Sequence, residues 1–140
     1  MTVEYLSVAD MMAIYYAVME EMGERPAALV REAALESAVH RPRAAAYYAE
    51  ASLAEQAVEL GIGIALAHPW VDGNKRCAFR SMMAFLSLNG VEVPRPRAEA
   101  YLAVARQLEQ IVAASGTNRD ERTRLLIDEL SGWATAATGE

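Results

Sequence analysis

The sequence predicts an all-α fold of about six helices, and three observations carry that prediction. Alanine is abundant while β-branched residues are few, which favours helix over sheet. Apolar residues recur at three- and four-residue spacing in stretch after stretch. No stretch shows the strict alternation of a half-buried strand. At 140 residues the chain is expected to form one domain, 1–140, large enough to bury roughly two thirds of its unfolded surface.

Ser7 is a good N-cap for the first helix, with Asp10 in its first turn. Val8, Met11, Met12, Tyr15, Met19 and Met22 form one apolar stripe, read as a core face, and Gly23 stops the helix. A second, shorter helix is expected over Arg31 to His40, with Leu35, Ala38 and Val39 inward and Pro42 ending it. Residues 41–51 have weaker order and read either as a mobile flap or as a poorly patterned helix. Leu53 to Ala67 is apolar on nearly every side, as a buried central helix is. Gly61 and Gly63 within it either admit a close neighbouring helix or relax it into an irregular turn.

Pro69 ends that central helix, because the residue before proline is driven out of the α region, and so presents His68 at its end. After Asp72-Gly73 a fourth helix runs to Asn89-Gly90, with Phe79, Met82, Met83 and Leu86 inward. Pro94 and Pro96 keep residues 91–96 extended. Arg97 to Ala114 is helical again, with Tyr101, Leu102, Ala105, Leu108, Ile111 and Val112 expected to face the core. Asn118 is expected to cap the last helix, whose core face is Leu126, Leu130 and Trp133, and the tail after Ala134 is expected to fray.

A formal charge of −6 argues against a broad nucleic-acid footprint, which needs a basic surface. The lone Cys77 rules out an internal disulfide and a cysteine-built zinc site, in keeping with a reducing cytoplasm. No signal peptide is evident at residues 1–5, and no apolar run reaches the length of a membrane span. A cytoplasmic protein without membrane or direct nucleic-acid partners is expected.

Against this background the stretch His68-Pro69-Trp70-Val71-Asp72-Gly73-Asn74-Lys75-Arg76 stands out. It puts an imidazole, a carboxylate, a carboxamide, an ammonium and a guanidinium across one helix break, and core packing asks for none of them. Gly73-Asn74-Lys75 opens a helix, whose first N–H groups lack intrahelical partners and suit an anion. Gly73 lets backbone approach phosphate closely. Lys75 and Arg76 add charge, and an arginine grips phosphate oxygens bidentately. Asp72 would repel a bare phosphate; Mg²⁺ between the two removes that conflict. His68 is placed to take a proton from an incoming hydroxyl. The chemistry that needs this set is phosphoryl or nucleotidyl transfer.

That stretch resembles the signature of the Fic/Doc superfamily, and with Lys75-Arg76 after Asn74 it resembles the death-on-curing (Doc) branch. Leu35-Glu36-Ser37-Ala38 with Arg41-Pro42, and Phe85-Leu86 leading to Asn89-Gly90, are similar to that branch too, so the resemblance spans roughly residues 5 to 132. It implies a compact helical toxin of a toxin–antitoxin pair. The toxin would be a protein kinase moving the γ-phosphate of ATP to a threonine of elongation factor Tu and so blocking translation. On that carry-over His68 is the general base and Asp72 holds Mg²⁺, with Gly73, Asn74, Lys75 and Arg76 on the phosphates. Lys75 fills space that most Fic enzymes leave open with glycine, which argues for another ATP orientation and for kinase rather than AMP-transfer chemistry.

Two positions depart from the pattern. Cys77 replaces the usual threonine, and Arg80 stands where the Doc prototype has asparagine, one place after the second arginine of Fic enzymes. Arg80 is therefore a further candidate for the nucleotide's phosphates. No self-inhibitory Ser/Thr-x-x-x-Glu-Gly/Asn motif is found, so an antitoxin covering the active-site groove is expected to restrain the protein. Two alternatives stay open: transfer of AMP or another phosphate-linked group, and a non-catalytic antitoxin-binding module. Outside such a motif His68 would read as a helix-capping core histidine and Asp72 as an N-cap. Arg41 and Arg43 read as solvated charges, with a place facing the site as the alternative, and Tyr47 and Tyr48 equally as packing or as part of a target-positioning flap.

Overall fold

The computed structural model describes residues 2–137, and six helices account for nearly all of them. They are α1 (Val8–Met22), α2 (Glu32–Ala49), α3 (Leu53–Ala67), α4 (Asn74–Leu88), α5 (Arg97–Ala113) and α6 (Gly116–Ala137). No strand occurs among the described residues. The layout is organised by α3, which packs on α2 and α4 and also touches α5 and α6, while α1 lies against α4 and α2.

Local chemistry accounts for the helix starts. Ser7 and Asp10 form a reciprocal capping box at α1, and Ser52 and Glu55 form another at α3. At the other end of α1, Gly23 takes the left-handed conformation at φ 70°. The two glycines of α3 resolve in favour of close packing: a Cβ at Gly61 would overlap the Met82 side chain, and one at Gly63 would lie 2.9 Å from Arg41 Cδ. The core is built from Met11, Tyr15, Leu35, Leu60, Ile64, Trp70, Met82, Phe85, Leu126 and Leu130, all 1% exposed or less.

Three expectations need correction. Pro42 does not end α2, which continues to Ala49, so residues 41–51 are largely helix rather than a flap. A proline inside a helix costs about 3 kcal/mol through a lost hydrogen bond and a clash with the preceding turn. Here the burial of Leu35, Ala38, Val39 and Pro42 itself, with α2 packed on α3, offsets that cost, and exposed contacts on either side add less. Arg41 pairs with Glu59 of α3 at 2.7 Å, and the Arg43 guanidinium lies 4.7 Å from the centre of the Tyr5 ring. Tyr47 and Tyr48 beyond it are 79% and 83% exposed, so neither packs in the core, and their rings meet edge-on at 4.8 Å.

The inward face of α5 is rotated from the expected one: Val104, Leu108 and Ile111 are buried, whereas Leu102 is half-exposed and Tyr101 stands at the surface edge-on to Phe79. Alanines at 98, 100, 103 and 105 blur the periodicity in the first half of α5, and contact with α3 and α6 selects the seam. Finally, α6 starts at Gly116, so Asn118 lies inside the helix and does not cap it. The turn is closed by Arg119, which donates to the Ile111 and Val112 carbonyls at the end of α5. The helix is described as far as Ala137, beyond the expected fraying point; residues 138–140 lie outside the described part.

Candidate active site

Residues 68–73 form the loop between α3 and α4, and each is positioned by an identifiable contact. His68 closes α3 in the left-handed region, at φ 48° and ψ 58°. Its carbonyl accepts from Arg31 Nη1 at 2.7 Å. The next carbonyl, that of Pro69, accepts from the N–H groups of Val30 and Arg31 at 2.9 and 3.1 Å. Trp70 anchors the loop in the core, 1% exposed and stacked parallel on Tyr15 at 4.7 Å. Gly73 enters α4 at φ 81°, a conformation that favours glycine; a Cβ there would also press to 2.6 Å from Met19 Cε, a flexible side-chain end that can yield.

Asn74 is buried and clamps the loop. Its Oδ1 accepts from Trp70 N–H at 3.0 Å, and its Nδ2 donates to the Trp70 carbonyl at 2.8 Å. Those two contacts fix which end of the amide is nitrogen. The second N–H therefore faces His68 Nδ1, 3.2 Å away. A neutral ring accepting there carries its own hydrogen on Nε2; an imidazolium, protonated on both nitrogens, cannot keep the contact. Asp72 is exposed, and its Oδ1 accepts from the Gly73 N–H at 2.8 Å rather than capping the helix.

One cavity of about 280 Å³ brings the expected residues together: His68, Asp72, Gly73, Asn74, Lys75 and Arg76 line it, with Val71 and Met22. Arg80 does not line it. It faces a neighbouring cavity of about 310 Å³, with Val18, Phe79, Leu108 and Val112 on its apolar side and Glu21 and Glu109 among its charged residues, and Lys75 and Arg76 border both cavities. The Arg80 guanidinium is ion-paired with Glu21 of α1, so it meets a phosphate only by leaving that carboxylate. Met22, Glu21 and Arg31 were not foreseen as site residues. Met22 was visible only as part of an apolar stripe, and nothing in the sequence ties Glu21 to position 80 or Arg31 to position 68.

Cys77 sits under the first turn of α4, fully buried. Burial pushes its thiol up from 9.0 to about 12, with the Arg80 charge pulling the other way. A thiol held neutral in this way is a poor nucleophile. Iodoacetamide is therefore expected to leave it unmodified in the folded protein between about pH 7 and 9 and to label it fully in urea; rapid native labelling, read by mass spectrometry, would contradict this. The sign for stability follows: the folded state keeps the proton that the unfolded chain sheds above about pH 9. This group's contribution is thus complete below the unfolded value and is lost as pH rises toward 12.

Such a cavity can hold a polyphosphate against the free N–H groups at the start of α4 and set an imidazole beside it. The fold and this loop define a class. The chain belongs to the Fic/Doc family, whose profile, described as the Fic/DOC family, matches residues 5–86, more than half its length. Among its relatives is Toxin Doc of Mycolicibacterium smegmatis, 35% identical over 105 residues, which make up 74% of this chain and 75% of that protein. None of the described helices is long and apolar enough to cross a membrane.

Proposed function

We propose that this protein is the toxin of a toxin–antitoxin pair and acts as a kinase, moving the terminal phosphate of ATP to a hydroxyl of a protein target. The observation that carries this reading is the pair of adjoining cavities sharing Lys75 and Arg76, one holding His68 and Asp72, the other offering an apolar side of Val18, Phe79, Leu108 and Val112. A nucleotide laid along the start of α4 with its base against Val18, Phe79, Leu108 and Val112 brings its last phosphate, not its first, nearest His68. Lys75 and Arg76 then grip the middle of the triphosphate, and the α4 N–H groups bind its oxygens.

In this reading His68 takes the proton of the attacking hydroxyl, its ring parting from Asn74 as it does so. The oxygen of that hydroxyl bonds to the terminal phosphorus, and the bond from that phosphorus to the bridging oxygen breaks, leaving ADP. Among the described residues no cluster of His, Cys, Asp or Glu holds a metal by itself. Asp72 is nevertheless an exposed carboxylate beside the phosphate position, which suits Mg²⁺, an ion commonly bound by one or two carboxylates together with phosphate and water. When bound, the ion would neutralise phosphate charge. Elongation factor Tu is the target proposed from family resemblance, with translation arrest as the consequence. The antitoxin is proposed to lie over both cavities.

Incubation with ATP labelled separately at the α and γ positions, in a cell extract, tests the reading. Label is expected on protein from γ only. Label arriving from α alone would mean AMP transfer and overturn the kinase assignment.

A further inference from the structure

We propose that Arg31, an exposed residue outside the signature loop, is a positioning residue for His68. His68 is one of two described non-glycine residues at positive φ, the other being Glu50. A side chain in that region crowds its own carbonyl, so the conformation persists only where the surroundings hold it.

At His68 the holding groups can be named. Arg31 Nη1 donates to the His68 carbonyl at 2.7 Å, a short bond from a charged donor. The Val30 and Arg31 N–H groups donate to the Pro69 carbonyl at 2.9 and 3.1 Å. Two successive carbonyls of the loop are thus held by two successive residues at the start of α2, which has no side-chain cap of its own. Arg31 pairs with no carboxylate among the described residues, so its charge is committed to this carbonyl.

The arrangement determines where the imidazole goes. With the His68 backbone held from the α2 side and its ring near Asn74 on the α4 side, the side chain is kept at the cavity's lining. Without the guanidinium the two main-chain bonds to Pro69 remain, so the loop stays attached, but His68 itself is free to relax toward ordinary backbone angles. The effect belongs to orientation, and displacement of a reacting group by about 1 Å costs on the order of 10²-fold in rate. Arg31 touches neither cavity's lining, so nucleotide binding is unaffected.

The catalytic part of this inference rests on the proposed function; the conformational part does not. The test compares Arg31→Ala and Arg31→Lys with the parent in two measurements. In γ-label transfer, Arg31→Ala is expected to lose about 10- to 100-fold in kcat with KM for ATP within about twofold. Arg31→Lys, which retains a charged donor, and millimolar guanidinium added to Arg31→Ala are each expected to restore part of the rate. In NMR spectra, assignable because the chain has only two histidines, Arg31→Ala is expected to shift the His68 ring signals and its backbone coupling while leaving His40 in place. Unchanged His68 signals in Arg31→Ala overturn the proposal whatever the rate does. So does a loss of rate accompanied by an equal rise in KM and early melting, with no rescue. If the His68 signals move but the parent itself transfers no label, the kinase reading has failed and the positioning role stands.

Discussion

Replacing His68 by alanine is expected to lower γ-label transfer by about 10²- to 10⁴-fold, the range for loss of a positioned general base. Expression of the variant should then no longer arrest growth. The substitution leaves the scaffold intact for reasons visible in the structure. The ring is exposed, and the loop is held by other groups: the Pro69 and Trp70 main chain, the Trp70 stack and the Asn74 clamp. Melting should therefore stay close to the parent, so that lost activity reports on chemistry. His68→Ala also separates catalysis from the non-catalytic alternative. A variant that arrests growth as fully as the parent would sink the catalytic reading and leave a binding module.

Trp70→Ala is expected to have the largest effect on stability. The indole is 1% exposed and stacked on Tyr15, whose hydroxyl in turn accepts the Ala27 N–H at 2.8 Å. Truncating a buried tryptophan to alanine costs about 3–5 kcal/mol, from lost apolar burial plus the cavity left behind. In a chain of this size that lowers Tm by roughly 10 °C or more. Trp70→Phe should be far milder. It keeps an aromatic face for Tyr15, and the indole N–H it removes has no hydrogen-bond partner among the described residues. Urea unfolding of both variants decides the point: a cost below about 1 kcal/mol for Trp70→Ala would mean that the loop is not anchored through the core.

Much of this could be read from particular residues before any coordinates. Ser7 with Asp10 announced the start of α1, the unbroken apolar run announced α3, and Pro69 placed His68 at its end. These signals are local: a cap or a proline acts on its own neighbours in the chain. The candidate loop was legible for the same reason, since its polar groups are consecutive and line one cavity.

What was missed depended on partners far away in sequence. Pro42 stops a helix when only its neighbours are considered, yet Glu59 and Tyr5 help hold the helix through it. Arg80 read as a free cation until α1 brought Glu21 against it.

By itself, then, the sequence determined the helical class, the helix starts that carry their own caps, and the membership of the loop, because propensity, capping and spacing are near-neighbour effects. Only the tertiary structure decided that Asn74 clamps Trp70 and faces the imidazole, and that a second cavity adjoins the first through Lys75 and Arg76. It alone brought Arg31 onto the His68 carbonyl, from 37 residues upstream. The Asn74 contacts are near in sequence but need the loop in its folded shape; the second cavity and the Arg31 bond depend on distances between separate helices, which helix packing sets and no local pattern encodes.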